Sequence, residues 1–273
     1  MTVTTSSHLV TYVLRLADDN LILGQRIGAL ISHMPELEED IAIANFALDH
    51  IGQARNLYQY VTELESSSAG HAEPPRTGDA VGRQPAARTE DSLAMLRTER
   101  EFLNALLVEQ PNGDFAHTTV RQFLFDAYQV PLLQALANST DERLAAIGAK
   151  AAKEAEYHLD HSSSWIITLG DGTAESNRRI QAAVDALWRF TGDLFTTDEV
   201  EDELIAAGVA VDPKLIRPAF DQKVGEVMAK ANITIPDDPY QRIGGRTGFH
   251  TEHFGHLLPE MQALYRAHPG VSW

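Results

Sequence analysis

Apolar residues recur at helical spacing along almost the whole of this chain, and the two-residue alternation of a half-buried strand is nearly absent. Such a chain has to bury its apolar stripes by packing helix on helix. Residues 8–31 place Leu9, Val13, Leu16, Leu23, Ile27 and Leu30 near one face, with Gly24 and Gly28 leaving room for a close neighbour. Pro35 ends that run, because it has no amide hydrogen with which to continue the backbone ladder. Residues 36–65 read as a second long helix that opens on acids and carries Ile41, Ala44, Leu48, Ile51, Leu57 and Val61 on its stripe.

Between 66 and 89 the composition changes to Ser, Gly, Pro and Arg with scarcely an apolar residue, which predicts an exposed, mobile loop inserted into the domain. A helix is predicted over 91–110, closed by the turn Pro111-Asn112-Gly113-Asp114. Asp114 can cap the next helix, which runs to about Asn138 with Pro131 inside it. Residues 141–169 follow, with Leu144, Ile147, Ala151, Ala155, His158 and Ser162 on one stripe. Further helices are expected over 175–195, 197–207, 213–230 and 249–267. The expectation is one all-α domain over 1–273, built as a ferritin-like four-helix bundle with additional peripheral C-terminal helices.

Composition removes several function classes. The chain has no cysteine, which excludes disulfides, thiolate zinc, Cys-ligated iron–sulfur clusters and Cys nucleophiles. Its 22 basic against 39 acidic residues give a net charge of −17, which repels phosphate and argues against nucleic acid or an anionic membrane as partner. No segment reaches the length of an apolar membrane span, and the first residues lack the basic and apolar stretches of a secretory signal, so a cytoplasmic location is expected. Gly244-Gly245-Arg246-Thr247-Gly248 follows no strand and lacks the lysine of a phosphate loop, and it reads as a hinge before the last helix.

Two helical segments carry the most specific pattern. Leu48-Asp49-His50-Ile51-Gly52-Gln53-Ala54-Arg55-Asn56 and Lys153-Glu154-Ala155-Glu156-Tyr157-His158 are laid out like the ligand helices of a carboxylate-bridged di-iron bundle. There, Glu-x-x-His sets a bridging carboxylate and an imidazole on one face. Here the corresponding pairs are His50-x-x-Gln53 and Ala155-x-x-His158.

These strings, with Tyr12-Val13-Leu14-Arg15-Leu16-Ala17-Asp18, Val108-Glu109-Gln110-Pro111-Asn112-Gly113, Leu187-Trp188-Arg189-Phe190-Thr191 and His250-Thr251-Glu252-His253, resemble the ferritin-like small subunits of bacterial phenylacetyl-CoA epoxidase complexes. The resemblance covers nearly everything except 66–89. It implies a subunit without catalytic, cofactor-binding or metal residues of its own. The iron would sit in a larger homologous subunit that epoxidises the ring of phenylacetyl-CoA, and NADPH would deliver electrons through a separate reductase. The matching positions His50, Gln53, Asp126, Ala155 and His158 would then be a vestigial di-iron set, with Asp126 and His158 the two ligands retained. The first helix has no acid between Asn20 and Pro35 and offers Gln25 and Arg26 instead. Two ligands cannot hold two irons, since hard cations need several carboxylates to offset their charge.

With the metal gone, a contact between Asp126 and His158, joined by Gln53 or Arg26, is expected to crosslink the interior. An alternative sets His50 and Gln53 at the edge of the core, bonded to water. His250, His253 and His256 form a second histidine group, read as packing rather than a metal site because helical steps of three turn the outer pair apart. Lys214, Arg217, Lys223 and Lys230 are either a set facing the phosphates of CoA or a solvated basic face. The competing functional reading is an independent metal-dependent ferritin-like oxidase using Asp126 and His158.

Overall fold

The computed structural model describes residues 3–69, 88–237, 240–269 and 271. Nine α-helices lie among them: α1 (Val3–Gly28), α2 (Leu37–Ala69), α3 (Glu90–Met95), α4 (Phe115–Leu136), α5 (Glu142–Gly170), α6 (Ala174–Leu187), α7 (Glu199–Ala206), α8 (Pro213–Lys230) and α9 (Glu252–Ala267). No strand occurs among the described residues. The long helices α1, α2, α4 and α5 form the bundle core, α1 against α2 and α4 against α5. The C-terminal helices cover it unevenly: α6 and α8 pack on α4 and the adjoining edge of α5, and α7 packs on α1. As a result α4 is buried over most of its circumference, while α2 packs mainly on α1, α3 and α5 and keeps an open outer face among the described residues. No helix is long and apolar enough to cross a membrane.

Local chemistry sets the boundaries. Asp114 accepts the amide of His117 at 2.9 Å and Asp141 that of Leu144 at 2.9 Å, each removing an orphan donor from the first turn of α4 and α5. Pro131 is accommodated inside α4. At Gly24, an added Cβ would lie 3.0 Å from Ile51 Cγ1 and 3.3 Å from the Ala47 carbonyl, so the close α1–α2 approach leaves little room for a larger residue there.

The structure corrects four expectations. The helix predicted over 91–110 stops at Met95, because buried carboxylates take the backbone amides that a helix would use: Asp18 accepts from Leu103 at 2.8 Å, Asp19 from Ala105 at 2.7 Å and Asp193 from Leu106 at 2.9 Å. The N-terminal half of the α2 stripe is rotated from the one predicted: Ile43, Phe46, Ala47 and His50 point inward and Ile41 and Leu48 are exposed, while Leu57 and Val61 are buried as predicted. The helix expected over 175–195 changes at Trp188 into a 3-10 segment, Trp188–Phe195. Of the predicted 66–89 loop, residues 66–69 continue α2, and 70–87 lie outside the described residues.

Candidate functional site

Three of the five positions matched to the di-iron pattern meet in the middle of the bundle. His50 from α2, Asp126 from α4 and His158 from α5 are all buried, with candidate ligand atoms within 4.8 Å of one another. Asp126 and His158 do not bond each other. Asp126 accepts the Gln122 amide at 2.7 Å on Oδ1 and the Ser162 hydroxyl at 2.8 Å on Oδ2. His158 Nε2 lies 3.1 Å from Asp49 Oδ2 and donates to it, while its Nδ1 has no partner among the described residues. The expected direct contact is therefore replaced by two separate sets of partners, Gln122 and Ser162 for Asp126 and Asp49 for His158.

His50 is equally well tied. Its Nδ1–H donates to Asn20 Oδ1 at 2.9 Å, and the same oxygen accepts from Gln129 Nε2 at 2.8 Å. That leaves the His50 Nε2 lone pair facing Gln122 Nε2 at 3.3 Å. The contribution of α1 to the centre is thus Asn20, and neither Gln25 nor Arg26 reaches it. Arg26 instead donates to the carbonyls of Glu109 and His253 at the end of the bundle. Gln53 bonds weakly to Gln129 at 3.3 Å and lines a groove between α2 and α5 with Asp49, Arg143 and Lys150. Gln53 is half-buried, as the edge-of-core alternative expects, but its bond is to Gln129, and His50 is fully buried against that alternative. Ala155 is buried and brings no donor.

Burial dominates the electrostatics. It pushes the Asp126 carboxyl up to about 8, against the hydrogen bonds from Ser162 and Gln122 that favour the charged form. Burial pulls His50 well below the ordinary imidazole value, and the neighbouring His158 pulls it further. His158 is also lowered by burial, although Asp49 opposes this. At neutral pH the three groups favour their uncharged forms, so the centre holds little charge of its own.

A di-iron cluster does not fit these residues. Asp126 is the single carboxylate among the three donors, and two iron cations would be left nearly uncompensated in a buried site. The Gln122 amide nitrogen also stands between Asp126 and His50, directing its N–H groups at the atoms a cation would need. Gln122 crosslinks neutral partners where a metal would crosslink charged ones.

The second histidine group disperses. His250 lies before α9 rather than on it, His256 is exposed, and the His253 carbonyl is an acceptor for Arg26. His250 Nδ1 is 2.7 Å from Glu109 Oε2 and its Nε2 2.9 Å from the Phe102 carbonyl. Both neighbours are acceptors, so the ring carries two protons and forms a buried ion pair with Glu109, which also accepts from Thr251. Burial alone would lower His250, but Glu109 outweighs it and the pKa is raised. A raised imidazole stabilises the fold below its unfolded value and loses that contribution as pH rises through the folded value. We expect the stability gap between the parent protein and His250→Gln, measured by urea unfolding, to be wider at pH 6 than at pH 9. An unchanged gap would contradict the ion pair. On α8, Arg217 bonds Asp221 at 2.7 Å and lies over the Phe195 ring, Lys214 and Lys230 are exposed and Lys223 is half-buried.

The family model described as phenylacetic acid catabolic protein matches residues 1–273. The chain is 46% identical over 267 residues to a named subunit of the 1,2-phenylacetyl-CoA epoxidase of Escherichia coli (strain K12), covering 98% of this chain and 100% of that protein. The chain belongs to the phenylacetic acid catabolic protein family.

Proposed function

We propose that this chain is a structural, non-catalytic subunit of a multicomponent di-iron monooxygenase that epoxidises the aromatic ring of phenylacetyl-CoA in aerobic phenylacetate catabolism. It pairs with and stabilises a larger homologous subunit that carries the iron, and electrons reach that iron from NADPH through a separate reductase. The complex works in the cytoplasm, without membrane or nucleic acid partners.

The observation that carries this reading is the bundle centre, in which Gln122 links a lone carboxylate, Asp126, to a neutral His50. The chain contributes a packed helical body to the complex, and the oxygen chemistry belongs to the partner. Similarity to a protein named as an epoxidase subunit supports the substrate assignment.

Metal analysis and gel filtration test it together. Purified alone, the chain is expected to carry far less than one iron per molecule and to lack epoxidase activity. Co-expressed with the larger subunit, it is expected to elute as a stable complex with iron only in the partner. Near-stoichiometric iron in the isolated chain, lost on Asp126→Asn, would favour the independent oxidase reading instead.

A further inference from the structure

We propose that the outer face of α2, together with the groove beside it, is where a different helical subunit docks, through an apolar helix flanked by lysine and arginine. This rests on the subunit pairing proposed above and names the surface that serves it.

Three large apolar side chains stand out from α2: Leu37 is 70% exposed, Ile41 55% and Leu48 66%. At 100° per residue their spacing of four and seven places them within about 40° of one line, so they form a ridge about 16 Å long. Past the C-terminal end of the ridge, α2 borders a groove of about 550 Å³, lined by Leu21, Ile51, Ala54 and Met261 and edged by Leu264, itself 59% exposed. A ridge that leads into an apolar groove along one helix is a surface on which a partner helix can pack. The helices α6 to α8 shield the opposite side of the bundle, and no described helix covers this face of α2.

Charge selects the occupant. Glu36 and Glu38 stand exposed at the start of α2, and Glu90 and Asp91 line the groove. Arg55, a cation on the same face, is held at 2.9 Å by Glu90. A second copy would bring acid onto acid between chains that each carry −17. A partner with basic residues around an apolar helix meets both the groove and its rim.

The test uses the full chain and a tagged larger subunit of the same complex. Ile41→Asp with Leu48→Asp, and separately Leu264→Asp, should weaken the complex about a hundredfold in Kd, as loss of central apolar anchors does. Leu215→Asp on α8, where the side chain is 77% exposed, should leave Kd and stability unchanged. Glu36→Lys with Glu38→Lys should weaken binding and flatten its salt dependence. The surface assignment is overturned if the complex forms and the α2 variants bind like the parent. It is also overturned if the chain alone dimerises and those variants turn it monomeric, since the occupant is then a second copy. Failure of the parent chain to form any complex would overturn the pairing itself.

Discussion

Replacing Asp18 with alanine is expected to remove roughly 3–5 kcal/mol of folding stability, the range found when one member of a buried ion pair is deleted. Asp18 is fully buried and accepts from Arg97 Nη1 at 3.0 Å, from the Tyr58 hydroxyl at 2.5 Å and from the Leu103 amide at 2.8 Å. Without it, Arg97, which is also buried, keeps its charge and loses its counter-ion, and the amide of Leu103 loses its acceptor. The second effect reaches further than the first. Asp18 is one of the carboxylates that hold residues 103–106 out of helical conformation, so its loss also loosens the segment beneath α9. The Arg97→Met change in the same background should restore part of the loss, because no uncompensated charge then remains. Urea unfolding of the parent, both single variants and the double variant measures this directly. If Asp18→Ala costs less than about 1 kcal/mol, the pair is not structural.

Most of the helical core was legible because its signals are local. Asp114 and Asp141 cap the helices they precede, and Gly24 sits where α2 comes close. The segment after Met95 was not legible, since its conformation is imposed by acids from α1 and from Asp193, far away in sequence. The same holds for α2, where Leu48 has the spacing of a core residue: an exposed apolar face is indistinguishable from a buried one until the neighbouring helices are placed. At the centre, the departure of His50, Gln53 and Ala155 from the Glu-x-x-His pattern was readable, but the side chains that surround them were not. A signal for one of them was present. Gln122, Asp126 and Gln129 recur at steps of four and three in the largely apolar stretch 122–133 of α4, which puts three polar groups on one buried face. Asn20 stands at the edge of the acid-free stretch of α1, and as an amide it gives no metal-ligand signal.

Asp126→Asn is expected to change how stability depends on pH, with its largest effect at the alkaline end. Burial raises the Asp126 carboxyl to about 8, whereas in the unfolded chain it returns to the ordinary value near 3.8. The folded state therefore binds a proton that the unfolded state has released over this whole interval. The stability owed to protonated Asp126 is complete below the unfolded value, declines as pH rises and is lost once pH passes the folded value. One proton corresponds to a slope of up to about 1.4 kcal/mol per pH unit between roughly pH 4 and pH 8. Asparagine keeps the shape and an acceptor for Gln122, its amide can donate to Ser162, and it has no proton to lose. Parent and variant should thus be closest in stability at the acid end, with the variant gaining progressively toward pH 8. Unfolding curves taken at unit steps across this range give the difference slope. A difference that stays flat would mean that Asp126 is ionised in the folded protein. It would then need a cation that Gln122, His50 and His158 do not supply in their neutral forms, and the metal-free account of the bundle centre would fail with it.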